Sequence, residues 1–344
     1  MSLYLEATIA DRDVDVRFDV ADGETLAILG PNGAGKSSVL AAIAGILRPD
    51  TGRGTLGDEV LFGDGVWKAP HLRGTALLSQ DALLFPHLDV TDNVAFGPRS
   101  GGQSRSESRA AARRWLTEVD AWELADLKPS QLSGGQAQRI GVARALAAEP
   151  RLLLLDEPMA ALDITVVPAM RQMLKRVLAD RTAIIVTHDA LDAALLADRV
   201  IVMDRGRIVE AGATKDVLAR PRSQFGAHIA GLNLLSGVVE DGGVRTPDGS
   251  HVEGLSADPI ADARAAVAVF SPSSVSVYLE PPSGSPRNVF AATVTALEPI
   301  GAQVRVRTAE VSADVTVAAV ADLKLMPGTR VYLSVKASEV AIYA

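Results

Sequence analysis

The segment Gly30-Pro31-Asn32-Gly33-Ala34-Gly35-Lys36-Ser37 fits the pattern G-x-x-x-x-G-K-[ST] in full. It follows an apolar run, Leu26-Ala27-Ile28-Leu29, and leads into the helically spaced Ser38-Val39-Leu40-Ala41-Ala42-Ile43. Glycines in such a loop let backbone N–H groups wrap a polyphosphate at a helix N-terminus, where partial positive charge already lies. In that setting Lys36 neutralises the β- and γ-phosphates, the Ser37 hydroxyl ligates Mg²⁺, and Ser38 completes the cradle. Triphosphate hydrolysis also needs a carboxylate for the metal and a group that activates water. Leu152-Leu153-Leu154-Leu155-Asp156-Glu157 supplies both at the end of an apolar run, Asp156 for the metal and Glu157 for the attacking water. Two adjacent carboxylates after so apolar a strand are costly unless a cation or a solvated cleft receives them. ATP and Mg²⁺ are therefore the expected ligands.

A third segment, Leu132-Ser133-Gly134-Gly135-Gln136, precedes Arg139 and an Ala-rich helical pattern from Ile140 to Ala148. It resembles the signature sequence of ATP-binding-cassette (ABC) ATPases, and further segments match that family in order. Gln80, within Leu77-Leu78-Ser79-Gln80-Asp81, matches the Q-loop glutamine. Ala160-Ala161-Leu162-Asp163 matches the D-loop, with Ala where Ser is usual, and His188 matches the switch histidine. The resemblance covers residues 1–230. It implies ATP hydrolysis with Glu157, His188 and Gln80 in catalytic roles, and Gln80 beside Ser37 and Asp156 at the metal. It also implies a head-to-tail dimer with a second copy of the chain. In that dimer Ser133, Gly134, Gly135 and Gln136 serve the ATP bound by the other subunit, through free N–H groups and a favourable helix dipole. One departure bears on base selectivity. The family usually stacks an aromatic ring on adenine, yet residues 6–17 contain none. Arg12 or plain apolar contact must take its place, and looser base selectivity follows.

These groups must be positioned by strands that end together. Leu26–Leu29, Leu152–Leu155 and Ala183–Val186 are continuous apolar runs bounded by polar turns, as parallel strands buried on both faces require. Helical stretches over Gln136–Ala148 and Val167–Leu178 alternate with them, which predicts an α/β parallel sheet, and the resemblance implies a P-loop ABC ATPase cassette with a helical subdomain. The polar stretch Ser100–Ser106 reads as a surface loop. From about Gly231 the pattern changes to short β runs, such as Val267–Phe270 and Val304–Arg307, separated by Gly, Pro and Ser turns. That predicts a small all-β domain, divided into a first β unit with linker over 231–284 and a second over 285–344. Residues 267–278 align without gaps to 332–343, and Asn233-Leu234-Leu235 resembles Asn288-Val289-Phe290. The tail thus reads as an internal duplication.

Composition sets the outer bounds. The chain has 344 residues, enough for about two domains at roughly 150 residues each. With 34 basic and 42 acidic side chains the net charge is −8, which argues against a general nucleic-acid binder. Zero cysteines exclude a disulfide framework, a thiolate metal site and cysteine catalysis. Mean hydropathy is slightly positive at +0.18, yet no run of about 18 apolar residues spans a bilayer, and the N-terminus does not read as a signal peptide. The segment Ala82 to Leu88 is conspicuously apolar. In ABC importers this region receives a coupling helix from the membrane subunit, so the resemblance implies a permease partner and a peripheral place on the cytoplasmic face of the cell membrane.

The tail narrows the cargo. Ser285-Pro286-Arg287-Asn288 and Ser334-Val335-Lys336-Ala337-Ser338 resemble the OB/Mop-like oxyanion-binding β-barrel of molybdate-handling proteins. On that resemblance Ser285, Arg287, Asn288, Ser334, Lys336 and Ser338 hold a tetrahedral dianion. The expected function is ATP hydrolysis energising import of molybdate or tungstate, with the tail sensing the oxyanion. An extracytoplasmic oxyanion-binding protein is then an indirect partner. The alternatives are import of sulfate or thiosulfate, iron or a sugar, and, from another class, a soluble regulatory or nucleic-acid-acting ATPase.

Overall fold

The computed structural model describes residues 2–160, 162–257 and 259–344. The chain divides into two compact units, one reaching to Val217 and the other Leu218–Ala344. The sequence boundary near 230 lies further on. Helix α8 (Gln224–Ile229) goes with the second unit because Ala227 packs with Leu234, Val267 and Val269.

In the first unit, six strands form one sheet in the order β11-β10-β3-β9-β8-β7. They are β3 (Thr25–Leu29), β7 (Thr75–Leu78), β8 (Leu152–Asp156), β9 (Ala183–Val186), β10 (Arg199–Asp204) and β11 (Arg207–Ala213). All neighbours are parallel except β10 and β11. The apolar runs behave as double-sided strands must. In β8, Leu152 and Leu154 enter one core while Leu153 and Leu155 enter the other. Ile184 and Val186 of β9 join the first of these, Ala183 and Ile185 the second.

The first core lies against helix α1 (Lys36–Ala44) and a five-stranded sheet ordered β2-β1-β4-β5-β6. Its strands are β1 (Leu3–Ile9), β2 (Val14–Val20), β4 (Thr51–Leu56), β5 (Glu59–Gly63) and β6 (Val66–Trp67). The second core gathers helices α2 (Val90–Ser100), α3 (Arg105–Glu118), α4 (Gly134–Ala147) and α5 (Val167–Leu178). Helix α5 runs over the residues its apolar periodicity predicts. The loop expected over Ser100–Ser106 is shorter, because Ser104 caps α3. Its hydroxyl accepts the Glu107 N–H while the Glu107 carboxylate accepts the Ser104 N–H, a closed capping box. Helices α6 (Ala190–Leu196) and α7 (Thr214–Ala219) complete the cassette elements.

The second unit is all β apart from two short helices, α8 and α9 (Val317–Asp322). One sheet runs β14-β13-β12-β16-β23-β15 and another β17-β22-β18. The ranges are β12 (Asn233–Glu240), β13 (Gly243–Arg245), β14 (His251–Val252), β15 (Leu255–Ser256), β16 (Ala265–Phe270), β17 (Ser276–Tyr278), β18 (Asn288–Thr293), β22 (Arg330–Val335) and β23 (Ala341–Tyr343). A third sheet holds β19 (Ala296–Ile300), β20 (Gln303–Arg307) and β21 (Ser312–Thr316).

The duplication is visible in the pairing. Strands β12 and β16 of the first copy accept β23 from the second, while β18 and β22 of the second accept β17 from the first. The copies therefore exchange their last strands, and residues 231–284 and 285–344 build one core between them. Two asparagines fasten the exchange. Asn233 Nδ2 donates to the Ser312 carbonyl at 2.9 Å and its Oδ1 accepts the Ser312 N–H at 2.8 Å. Asn288 repeats this with Glu253, both bonds at 2.8 Å.

Candidate functional site

Four neighbouring parallel strands, β3, β9, β8 and β7, aim their C-terminal ends the same way, and each delivers one functional segment. The phosphate loop follows β3, His188 follows β9, Asp156 ends β8, and Gln80 lies two residues beyond β7. Cross-strand register aligns them, with Leu78 opposite Leu155, Asp156 opposite Val186, and Val186 opposite Ile28. Open α/β sheets place ligands at such carboxyl ends.

Within the loop, Gly30, Gly33 and Gly35 have φ of 155°, 81° and 95°. A Cβ on Gly35 would stand 2.5 Å from Val14 Cγ2, and one on Gly30 2.3 Å from the Met203 carbonyl oxygen. Backbone conformation and close approach thus both require glycine at these two positions. Gly35 caps α1 without a side chain, which leaves the helix N-terminus open to a ligand. Lys36 is buried, and its ammonium donates to the carbonyls of Gly30 at 2.8 Å and Pro31 at 2.9 Å. Burial pushes its pKa down, against the opposing pull of Glu157 and Asp156.

The acidic wall stands opposite. The Ser37 hydroxyl donates to Asp156 Oδ1 at 3.2 Å. Burial pushes the Asp156 carboxyl up, the Ser37 hydrogen bond opposes this, and Glu157 adds to it. A half-buried carboxylate hydrogen-bonded to a neutral hydroxyl, with a second carboxylate beside it and Lys36 as the nearby positive charge, has the chemistry of a divalent-cation site. Its oxygen donors suit Mg²⁺, which takes one or two carboxylates and fills its remaining positions with phosphate and water. Glu157 has φ of 47° in the left-handed region, and its N–H donates to the Val186 carbonyl at 3.0 Å. Its Oε2 lies 3.5 Å from His188 Nδ1. Strain of this kind is held at functional sites by the surrounding structure, here by the tie to β9.

Arg12, Asn32, Gly33, Ala34, Gly35, Lys36, Ser37, Ser38, Gln80 and Glu157 line one open cavity of about 520 Å³. Arg12 is the member that sequence motifs alone would miss. It ends a short turn after β1, and its Nη1 donates to Ser38 Oγ at 3.1 Å, so a guanidinium stands at the mouth of the phosphate cradle. The missing aromatic in residues 6–17 was the available signal. Ser133, Gly134, Gly135 and Gln136 are not part of this lining. Ser133 and Gln136 form a capping box at the start of α4, bonding each other's backbone N–H, which leaves the N–H groups of Gly134 and Gly135 as the forward donors. Ala161 of the D-loop match lies outside the described residues, whereas Asp163 and His188 lie within them.

The apolar segment after Gln80 is only partly packed away, with Ala82 buried and Leu84 against the helical core while Leu83 stays exposed. Buried Asn93 accepts the Phe85 N–H and donates to the carbonyls of Phe85 and Asp89. Arg144 donates to the carbonyls of Ala82 and Leu83 and lies over the Phe85 ring. Phe85 meets Phe96 with ring centroids 4.6 Å apart. Leu83 and Phe96 remain 67% and 46% exposed.

In the tail, Ser285, Arg287, Lys336 and Ser338 are exposed, and Ser334 is buried on β22. Register pairs Asn288 with Val335, so the next step outward brings Arg287 towards Lys336. The Asn288 amide is engaged on both sides by Glu253, which gives it a structural duty. A tail cavity of about 520 Å³ is lined by other residues, among them Gln224, Asp248 and Glu310, and contains none of the six.

Residues 14–160 match the ABC transporter family, and residues 284–342 match the TOBE domain family. A molybdenum import ATP-binding protein of Mycobacterium tuberculosis is 50% identical over 99% of this chain and 97% of its own length. A molybdate/tungstate import ATP-binding protein of Pyrococcus horikoshii is 35% identical over 96% and 95%. An Fe(3+) ions import ATP-binding protein of Streptomyces avermitilis is 42% identical, covering 68% of each chain. Among solved structures, a dimeric ATP-binding cassette in a post-hydrolysis state with ADP and Pi superposes with a TM-score of 0.55 at 27% identity, over 62% of this chain and 98% of that one.

Proposed function

The chain belongs to the ABC transporter family, among its molybdenum import ATP-binding proteins, and from that premise we propose that it hydrolyses ATP to drive molybdate or tungstate through a membrane-embedded permease. One observation carries the cargo: the likeness to molybdenum and molybdate/tungstate import proteins runs through cassette and β tail alike, whereas the iron-import relative covers only 68% of the chain.

Lys36 and the loop N–H groups hold the β- and γ-phosphates at the N-terminus of α1. Ser37, Asp156 and Gln80 would hold Mg²⁺, which would neutralise charge on the phosphates. Glu157 orients the attacking water and accepts its proton, held in a left-handed backbone conformation that turns the residue out of the β8 strand direction. His188, 3.5 Å from Glu157, contacts the γ-phosphate and keeps the water in line. Ser133, Gly134, Gly135 and Gln136 lie outside the phosphate cavity because their nucleotide is bound by a second copy of the chain. The ATP then joins the two copies, and hydrolysis releases them.

The permease docks on the face built from Leu83, Phe85 and Phe96 beside the Gln80 segment, so nucleotide state and membrane subunit meet at one loop. No helix among the described residues is long and apolar enough to cross a membrane. The proposed permease contact would hold the chain at the cytoplasmic face. Ser285, Arg287, Ser334, Lys336 and Ser338 hold the oxyanion in the tail, with Asn288 shaping the strand. The test is ATPase turnover of the full chain reconstituted with its permease and solute-binding protein in proteoliposomes. Stimulation and uptake with molybdate or tungstate, and not with sulfate, are expected. Stimulation by sulfate or Fe³⁺ alone overturns the cargo, and turnover indifferent to any permease overturns the transport reading.

A further inference from the structure

A buried ion pair lies directly behind His188. Asp192 on α6 is 4% exposed, and its Oδ1 accepts Arg171 Nε from α5 at 2.7 Å. The Arg171 side chain is itself only 12% exposed. The second carboxylate oxygen, Oδ2, accepts the Thr187 hydroxyl at 3.1 Å. The Thr187 oxygen accepts the Asp189 N–H at 3.1 Å. Asp189 caps α6 by accepting the N–H groups of Leu191 at 2.6 Å and Asp192 at 3.2 Å, and it faces Arg171 Nη2 at 3.7 Å.

Thr187 is therefore tied directly to the Asp192 carboxylate, Asp189 is linked to it through the Thr187 hydroxyl, and that carboxylate is tied to α5. The imidazole itself is 59% exposed, and its neighbour is Glu157. Its position is set from behind, by its backbone. Helix–helix contact alone does not call for ions, because an apolar pair of similar volume holds two helices at least as well. What the ions and the hydroxyl add is direction: each bond has one donor and one acceptor in fixed geometry. Helix α5 starts soon after the turn in which Asp163 Oδ1 accepts Thr165, downstream of Glu157 on the same connection. A shift of α5 is then carried to the switch histidine.

We propose that Arg171, Asp192 and Thr187 are positioning residues that hold His188 in register with Glu157 and transmit displacement of α5 to it. This rests on the role given above to His188. The experiment uses the full chain with Mg-ATP in single-turnover hydrolysis, which also reads slow variants, and ATP binding measured separately. Thr187→Val removes the hydroxyl at nearly constant volume. It is expected to lower the hydrolysis rate about 10- to 100-fold, the scale of a misplacement of order 1 Å, with ATP affinity within about twofold. Arg171→Leu behaves alike, and Arg171→Lys, which keeps the charge but not the planar fork, recovers only part of the rate. In a His188→Ala background, Thr187→Val has no further effect.

Unchanged rates in Thr187→Val and Arg171→Leu overturn the proposal. So does an affinity loss without a rate loss, or a full additional loss in the His188→Ala background. A His188→Ala variant that hydrolyses normally overturns the role of His188 instead, and leaves a distinct signature. Should Arg171→Leu melt at much lower temperature, Thr187→Val decides the matter.

Discussion

The two asparagine clasps of the tail look equivalent in sequence and in hydrogen-bond pattern, yet they differ in what surrounds them. Asn233 is 5% exposed and its partner Ser312 is 9% exposed. Asn288 is 1% exposed, but its partner Glu253 is exposed. Asn233→Ala removes two hydrogen bonds and strands a buried N–H and a buried carbonyl on Ser312. At about 1–3 kcal/mol for each buried group left unsatisfied, the loss is about 2–4 kcal/mol after partial relaxation. Asn288→Ala removes the same number of bonds, but water reaches Glu253 and replaces them, so the loss is about 1 kcal/mol. Hydrogen exchange of the full-length protein, read on peptides covering β12, β21 and the 250–256 segment, separates the two. The Asn233→Ala variant accelerates exchange there roughly thirty- to several-hundredfold and Asn288→Ala about fivefold, while peptides of the phosphate loop stay unchanged. Equal acceleration from both alanine variants would refute the burial reasoning, and none from either would refute the clasp.

Three further outcomes test the cassette. Glu157→Gln keeps shape and loses the proton acceptor, so hydrolysis falls about 10²–10⁴-fold while ATP affinity stays within a few-fold, and gel filtration with ATP shows a longer-lived dimer. Arg12→Ala removes the guanidinium at the cavity mouth and raises KM for ATP about 2- to 30-fold at constant kcat, the range set by about 0.5–2 kcal/mol for a cation at a nucleobase or phosphate. Comparison with GTP shows whether Arg12 reads the base. The third concerns pH. Ser104, through its side chain and its backbone N–H, holds the Glu107 carboxyl below the ordinary carboxylate range. A depressed pKa contributes stability above the unfolded value and loses it as pH falls through the folded one. The stability difference between the parent and Glu107→Gln, followed by exchange of α3, is present at neutral pH and disappears below the carboxylate range.

Legibility in the sequence tracked how local the cause was. Strands β3, β8 and β9 are readable because burial on both faces forces unbroken apolar runs, and Val167–Leu178 because its period matches a helix packed on one side. The phosphate loop is readable because its glycines answer close approaches and positive φ values that no other residue tolerates. Where the cause was a distant partner, the sequence was silent. Arg171 and Asp192 stand 21 residues apart and look like two surface charges on two helices until folding buries them together. Arg12 is different: the missing aromatic in residues 6–17 already names it as a candidate, and only its bond to Ser38, 26 residues on, had to wait for the fold.

The tail carries this furthest. The alignment of 267–278 with 332–343 suggests two like units side by side, and a repeat of that kind ordinarily predicts two small cores. The strands decide otherwise, since β17 completes the sheet of the second copy and β23 that of the first. A six-residue edge such as β22 paired only with β18 would leave one side of a two-stranded ribbon open, and ribbons of that size are marginal alone. Exchange closes both ribbons at once and makes each copy's stability depend on the other. Residues 284–342, which match the TOBE family, therefore hold one half of a folded unit whose other half precedes them. Any change that loosens Asn233 or β17 must reach the loops bearing Arg287 and Lys336, although no residue of the first copy is among the proposed oxyanion ligands.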